Sequence, residues 1–211
     1  MKEECVVSVA FRINYVRHSK VQEAWIKENN TEIDLILFRD KLPMSGCVHT
    51  DNIVSEFQKS LYGFKPHAIQ HAIDLGYKKV IWLDPSILPT TSLDILVKSL
   101  DKHSMIVRTG DSPLSKMCNQ KAKNWFAVSD EDIKDVKHIG GTIYAFNFND
   151  PKVVEVFNLW KKVEEEGIFG NQDEFMAGHW ADEACMALAM YKVGLPQYYE
   201  SNFKYLNQKE L

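Results

Sequence analysis

Apolar and polar positions along this chain fall into two patterns: short unbroken apolar runs, and longer stretches in which apolar residues recur at helical spacing. VVSVAF (Val6 to Phe11) is the first run, and its β-branched, uninterrupted character predicts a buried strand. Ser19 then offers an N-cap for a helix over KVQEAWIKENN. EIDLILF (Glu32 to Phe38) predicts a second strand, closed by the charged Arg39-Asp40, and a polar loop with Pro43 and Gly46 follows. Lys65-Pro66 opens a helix over HAIQHAIDLG, with proline in the first turn, where its missing N–H costs nothing, and Gly76 as C-cap. KKVIWLD is a third unbroken strand that stops at Asp84. Further strands are expected around MIVRT (Met105 to Thr109) and GTIYAFNF (Gly141 to Phe148), and helices over VVEVFNLWKKVEEEG and ADEACMALAMYKVG.

Strands alternating with helices, the strands being almost wholly apolar, imply an α/β fold with a mainly parallel mixed sheet flanked by helices. The 211 residues fit one domain, residues 1–211, with no linker, repeat or low-complexity tract to divide them. At 45% hydrophobic and 26% charged the composition is that of an ordinary globular chain, which excludes disorder. A domain of this size buries roughly 70% of its unfolded surface and needs no disulfide or structural metal. Cys5, Cys47, Cys118 and Cys185 lie far apart, without a CxxC pair or zinc spacing, and read as free thiols suited to a reducing compartment. The N-terminus, MKEECVVSVAFRINY, is acidic where a signal peptide is basic, and no run approaches the roughly 18 apolar residues of a membrane span. The expected location is cytoplasmic.

In open α/β sheets, ligands bind beyond the carboxyl ends of the strands, and Asp84 stands at such an end in YKKVIWLDPSILP. A carboxylate there can hold a divalent cation against a diphosphate, because Mg²⁺ and Mn²⁺ take a few carboxylate oxygens completed by phosphate and water. It can equally be an Asp that only starts the turn before Pro85. Other chemistries lose support. FRINYVRHS, after the first strand, has no glycine, which excludes a GxGxxG dinucleotide turn. Neither a P-loop nor a GxSxG nucleophile elbow occurs. A phosphatase using Asp84 as nucleophile needs an acid two residues on, and Ser86 occupies that place.

The run YGFKPHAIQHAIDLGYKKVIWLDPSILP, from Tyr62 to Pro89, resembles the donor-site stretch of GT-A-type nucleotide-sugar-dependent glycosyltransferases. There a Lys-Pro helix feeds an apolar strand ending in a short acidic motif, commonly Asp-x-Asp. GGTIYAFNFNDPKVVEVFNLW resembles their later strand on the acceptor side, and AGHWADEACMALAMYKVGL their last block, where a His and an acidic pair open a helix. The likeness runs in order from about Tyr62 to Leu195. It implies a GT-A-like single domain and an enzyme that moves a sugar from a nucleoside diphosphate sugar, UDP by default, to an acceptor hydroxyl. Asp84 and Ser86 stand at the metal position, with a hydroxyl in place of the second carboxylate, so both an Mn²⁺- or Mg²⁺-dependent and a metal-independent form stay open. His179 is a third metal candidate or an ordinary histidine. Arg12, Asn14 and Tyr15, after the first strand, and Asp40, after the second, are implied at the base and ribose.

Lys65, a point charge near a helix start, suits a phosphate. Asp182 and Glu183 open a helix, where the macrodipole favours anions by about 0.3–1 kcal/mol, so simple capping accounts for them as well. On the functional reading Asp182 is the general base on the acceptor hydroxyl, worth about 10²–10⁴ in rate, and Glu183 orients the acceptor. A base opposite the leaving group gives inversion, and its absence a front-face retaining route. Gly140-Gly141 either lets backbone approach the transferred sugar or is a plain turn pair, and Trp125 offers either a stacking face or a core ring.

A glycan, a protein side chain or a lipid-linked precursor are candidate acceptors. Lys102 to Trp125 holds five Lys/Arg against one acid, so Arg108, Lys116, Lys121 and Lys123 are also candidate phosphate contacts to DNA carrying a hydroxymethylated base, as some phage enzymes modify. The net charge of −4, and nine acids against three lysines from Asp150 to Glu183, weigh against that acceptor. The remaining alternative is a non-catalytic nucleotide-sugar-binding protein.

Overall fold

Each unbroken apolar run becomes a strand whose alternate side chains enter two separate cores. The computed structural model describes residues 3–10, 12–30, 32–39, 62–170 and 181–210, with the backbone alone for Arg12, Ile13, Ala181 and Glu210. Its main sheet has the order β2-β1-β3-β6-β5, formed by β1 (Glu4–Ala10), β2 (Asp34–Arg39), β3 (Lys79–Leu83), β5 (Met105–Pro113) and β6 (Lys137–Asn147). β1 runs parallel to β2 and β3, while β6 is antiparallel to both β3 and β5, so β6 alone of these strands is reversed. The sheet is the expected mixed, mainly parallel one. A second small sheet pairs β4 (Ile87–Pro89) with β7 (Tyr205–Asn207). The helices among the described residues are α1 (Arg12–Asn29), α2 (Phe64–Asp74), α3 (Asp94–His103), α4 (Leu114–Met117), α5 (Gln120–Phe126), α6 (Pro151–Glu165) and α7 (Ala181–Val193).

Val7, Val80, Trp82, Tyr144 and Phe146 point into the core shared with α2, α6 and α7, and their neighbours Val6, Ile81, Leu83, Ile143 and Ala145 into the core shared with α1 and α3. Burial on both faces is why these strands show no polar alternation. Helix α7 is apolar all round, with Ala184 to Met190 at most 1% exposed, as befits a helix packed between α6 and the sheet.

Helix α1 begins at Arg12, seven residues before the expected cap. Ser19 lies inside it, donating its hydroxyl to Val16 O (2.8 Å) and accepting from Arg39 Nε (2.8 Å). Arg39, buried at the end of β2, also pairs with Glu23 Oε2 at 2.7 Å. The polar residues that read as a helix start thus serve a partner on another strand, and Asn14 and Tyr15 fall in the first turns of a helix rather than in a loop.

At the end of α2, Gly76 takes φ +96°, Gly76 N–H donates to Ile73 O (2.9 Å) and Tyr77 N–H to Ala72 O (3.2 Å). These are the two bonds of a Schellman stop with glycine in the left-handed position, as expected. Gly76→Ala forces a Cβ into that conformation and is expected to cost about 1–2 kcal/mol. The melting temperature should fall by roughly 2–8 °C; an unchanged melt would show that the turn relaxes freely.

Candidate active site

Segments far apart in sequence meet where β3 ends. Asp84 N–H donates to Thr142 O of β6 (2.9 Å), carrying the ladder one residue past Leu83. Asp84 Oδ1 accepts from the Ser86 N–H (2.9 Å) and from Ser86 Oγ (2.5 Å). Ser86 is 1% exposed, so its hydroxyl aims the Asp84 carboxylate and does not reach outward as a metal ligand would. Asp84 is half-buried, and its Oδ2 has no hydrogen bond among the described residues.

Lys65, the second residue of α2, is 3% exposed. Its Nζ donates to Asp182 Oδ2 (2.5 Å) and Gly141 O (3.2 Å), and lies 4.9 Å from the ring centroid of Tyr62 and 5.8 Å from those of Trp82 and Tyr144. A phosphate-binding lysine has to reach its ligand; this ammonium is enclosed by an acid, a carbonyl and three rings, so the expected phosphate contact gives way to an internal ion pair. Burial pulls the Lys65 pKa down, but the Asp182 and Glu183 charges outweigh it and hold the ammonium above the ordinary lysine range. Asp182 is 1% exposed, and burial pushes its carboxyl up to about 6, against the pull of Lys65. Both members of the pair are therefore charged at neutral pH.

The acidic pair at the start of α7 divides. Asp182 turns inward, with Trp160 Nε1 donating to its backbone carbonyl (2.9 Å). Glu183 stays half-buried, with Oε1 accepting the Gly141 N–H (2.5 Å) and Oε2 3.2 Å from His138 Nε2. A base that exchanges a proton with an acceptor needs access, so the geometry moves that candidacy from Asp182 to Glu183. Gly141 is the floor of the cluster. A Cβ there would lie 2.5 Å from Lys65 Nζ and 2.7 Å from Glu183 Oε1, whereas one on Gly140 would meet only the Arg108 side chain at 3.5 Å.

His138 and Tyr62 belong to this cluster and were not read from the sequence. Tyr62 holds φ +65°, a conformation unfavourable for a bulky residue, directly before the helix that carries Lys65. No local pattern distinguishes either one; the Gly140-Gly141 pair two residues beyond His138 was the nearest signal.

The other expected residues divide by place. Tyr15 borders the cluster: burial, then the Asp182 charge, raises the Tyr62 hydroxyl, the neighbouring Tyr15 phenol adding less, and Lys209 Nζ stands 5.0 Å over the Tyr15 ring. Asn14 is exposed on the same helix. The Arg12 side chain, Asp40 and His179 lie outside the described residues. Trp125 donates its indole N–H to Glu166 Oε2 (2.6 Å) and packs on Phe126, neither of them part of the carboxylate cluster. Of the basic stretch, Lys123 is buried on Asp130 (2.5 Å) and Lys121 donates to Gly167 O (2.7 Å); Arg108 and Lys116 are exposed. The expected row of four phosphate contacts is therefore not an open cationic face.

Among the described residues no group of three or more His, Cys, Asp or Glu side chains could hold a metal ion. What they offer a cation is Asp84 Oδ2, and Mg²⁺ or Mn²⁺ fits a single carboxylate when phosphate and water complete its shell.

No family model matches the sequence, and neither does any curated protein. Solved structures do match. Mouse xyloside xylosyltransferase 1 is similar at TM-score 0.59 and 9% identity, over 94% of this chain and 85% of that one. The glycosyltransferase GlyE of Streptococcus pneumoniae is similar at TM-score 0.55 and 13% identity, over 94% of this chain and 45% of its own. The galactosyltransferase LgtC, solved with donor and acceptor sugar analogs, is similar at TM-score 0.51 and 12% identity, over 92% and 72%. The chain has the GT-A-type fold of these glycosyltransferases.

Gly141→Ala is expected to destabilise the protein by roughly 1–3 kcal/mol through overpacking, and Gly140→Ala to stay within about 0.5 kcal/mol of wild type, as read from urea midpoints. Equal effects would show that the cluster does not need the missing Cβ. Folding raises the Asp182 pKa from the ordinary carboxylate range to about 6. Its contribution to stability is therefore full below about pH 4 and is lost as pH rises through about 6. Asp182→Asn leaves the Lys65 ammonium without its hydrogen-bonded counter-charge in the interior, at a cost of about 3–5 kcal/mol. It should also flatten the pH dependence of stability between about pH 4 and 6. A slope unchanged in that variant would assign the titration to another group.

Proposed function

We propose that this chain is a glycosyltransferase that moves a sugar from a nucleoside diphosphate sugar, UDP by default for the fold, to an acceptor hydroxyl. The observation that carries the reading is Asp84 at the carboxyl end of β3, its Oδ2 without a hydrogen bond among the described residues, beside the Lys65, Asp182 and Glu183 cluster in a GT-A-type fold. Asp84 Oδ2 would hold a divalent cation, which would supply positive charge to neutralise the departing diphosphate. Tyr15 and Asn14, on the first turns of α1, flank the nucleotide.

Glu183 receives the acceptor hydroxyl and takes its proton. The acceptor oxygen forms its bond to the anomeric carbon as the bond from that carbon to the diphosphate oxygen breaks, and the electron pair leaves with the diphosphate. The Lys65–Asp182 pair holds the first turn of α7 against Gly141, so that Glu183 needs no reorganisation when the acceptor arrives. A glycan or protein hydroxyl suits this site better than a nucleic acid, because Lys121 and Lys123 are engaged within the fold and a phosphate-tracking surface needs clustered free cations. No described helix is long and apolar enough to cross a membrane.

A thermal-shift series of UDP-, GDP- and other nucleotide sugars, with and without Mn²⁺, tests the donor. A ligand at about 100 times its Kd adds roughly 2.7 kcal/mol of apparent stability, or roughly 5–10 °C for a chain of this size. Asp84→Asn should abolish the Mn²⁺-dependent part of the shift. If no nucleotide sugar moves the melt of the wild-type chain, the proposal is wrong. Glu183→Gln should keep donor binding and lower turnover by about 10²–10⁴-fold, measured as sugar transfer or donor hydrolysis. Donor binding with no turnover on any hydroxyl acceptor would instead mark a nucleotide-sugar-binding protein.

A further inference from the structure

Asp84 stands on a turn that leaves the main sheet after the Asp84 N–H bond to Thr142 O, and every backbone carbonyl from Asp84 to Ile87 is held. Asp84 O accepts from Gln22 Nε2 (2.9 Å) and from Ile87 N (2.9 Å), and Ile87 O accepts from the same Gln22 amide (2.7 Å). Pro85 O accepts from Gln208 Nε2 (3.1 Å) and Ser86 O from Gln208 N (2.7 Å). Gln22 is 1% exposed and Gln208 8%, so both are interior amides that hydrogen bonding must satisfy. Gln208 Nε2 also reaches His18 O of α1 (3.3 Å), and strand β7, directly before it, pairs Asn207 with Ile87. A residue more than a hundred positions downstream thus ties the turn both to α1 and to the C-terminal segment.

We infer that Gln208 is a positioning residue for Asp84. The inference rests on the reading of Asp84 as the carboxylate on the sugar-donor side. Ser86 fixes Asp84 Oδ1 from within the turn, and Gln208 and Gln22 fix the backbone on which both residues ride. With one oxygen left for a cation, the direction of Oδ2 is set entirely by that turn. A misplacement of about 1 Å at such a site can cost on the order of 10²-fold in rate, so a rigid mount matters more here than for a carboxylate with a second one beside it. Gln208 touches no ligand in this account; it acts through the carbonyls of Pro85 and Ser86.

The test compares wild type with Gln208→Met, which keeps side-chain volume and removes the amide, and with Gln197→Ala. Gln197 likewise donates to a backbone carbonyl, that of Lys137 (2.9 Å), but away from the turn, and serves as the control. Two quantities are read: the Kd for Mn²⁺·UDP by calorimetry, and amide exchange at Ser86 and Ile87, whose N–H groups bond Asp84 Oδ1 and Asp84 O. Gln208→Met should weaken Mn²⁺·UDP at least tenfold and speed exchange at both amides at least tenfold, while Gln197→Ala changes neither. A Gln208→Met protein that melts lower but binds Mn²⁺·UDP as wild type does, with exchange in the turn unmoved, overturns the inference and leaves a packing role. A wild-type chain that binds no nucleotide sinks the donor reading instead; exchange at the two amides then decides alone whether Gln208 holds the turn.

Discussion

An ammonium closed into apolar surroundings is stable only beside a counter-charge, and the Lys65–Asp182 pair is the interaction on which this site depends. Its partners come from α2 and α7, and the bridging carbonyl of Gly141 from β6. A buried pair of this kind adds little net stability over an apolar contact of the same shape, because both ions give up their water. What it adds is register. Only one placement of α7 against β6 brings Asp182 to the ammonium, and that placement sets Glu183, the next residue, on the Gly141 N–H. Glycine at 141 follows from the same constraint, since the ammonium and the Glu183 carboxylate occupy the space of its missing side chain.

The turn at Asp84 is built on the opposite principle. On the α2–α7 side of the sheet an enclosed charge is answered by carboxylates, Asp182 in direct contact; at the turn, neutral glutamine amides answer backbone carbonyls one by one. Amide bonds of this kind are individually modest, about 0.5–1.5 kcal/mol net, but leaving a buried carbonyl without one is costlier. The result is a carboxylate whose backbone is fixed by α1 and the C-terminal segment and whose inner oxygen is fixed by Ser86. The two cores on either side of the sheet supply the stability that lets both polar devices exist, since neither would form on a mobile strand end.

What the sequence made legible was whatever depends on local period and composition. The unbroken runs at Val6, Val80 and Ile143 read as strands because burial on both faces erases polar alternation, and Gly76 read as a stop because left-handed backbone selects glycine. Asp84 at the end of β3 and the acidic pair at the start of α7 were found on the same grounds. The misreadings share one cause, a polar residue whose partner lies outside its own helix or strand. Ser19 looked like a cap because Arg39, its partner, is on another strand. Lys65 looked like a free phosphate ligand because Asp182 is 117 positions away, and Lys123 looked like part of a cationic face although Asp130 neutralises it. Strands β4 and β7, three residues each, are too short to show a period, and they are what brings Gln208 to the turn.

The substitution of Ser86 for a second acid left metal dependence open on sequence grounds, and the charge arrangement bears on it. Among the described residues, three carboxylates, Asp84, Asp182 and Glu183, stand around the end of β3 with one ammonium, Lys65, already paired and enclosed. A diphosphate approaching these residues meets carboxylates that Lys65 does not offset, since its donors point at Asp182 and Gly141. In a partly buried site such repulsion is weakly screened. On the transferase reading, a cation at Asp84 Oδ2 would supply the positive charge that these described residues do not. With Ser86 in place of a second acid, such a cation would take one protein oxygen and would rely on the diphosphate and water for the rest of its shell. On that reading, cation and sugar donor would bind as a unit, each poorly without the other.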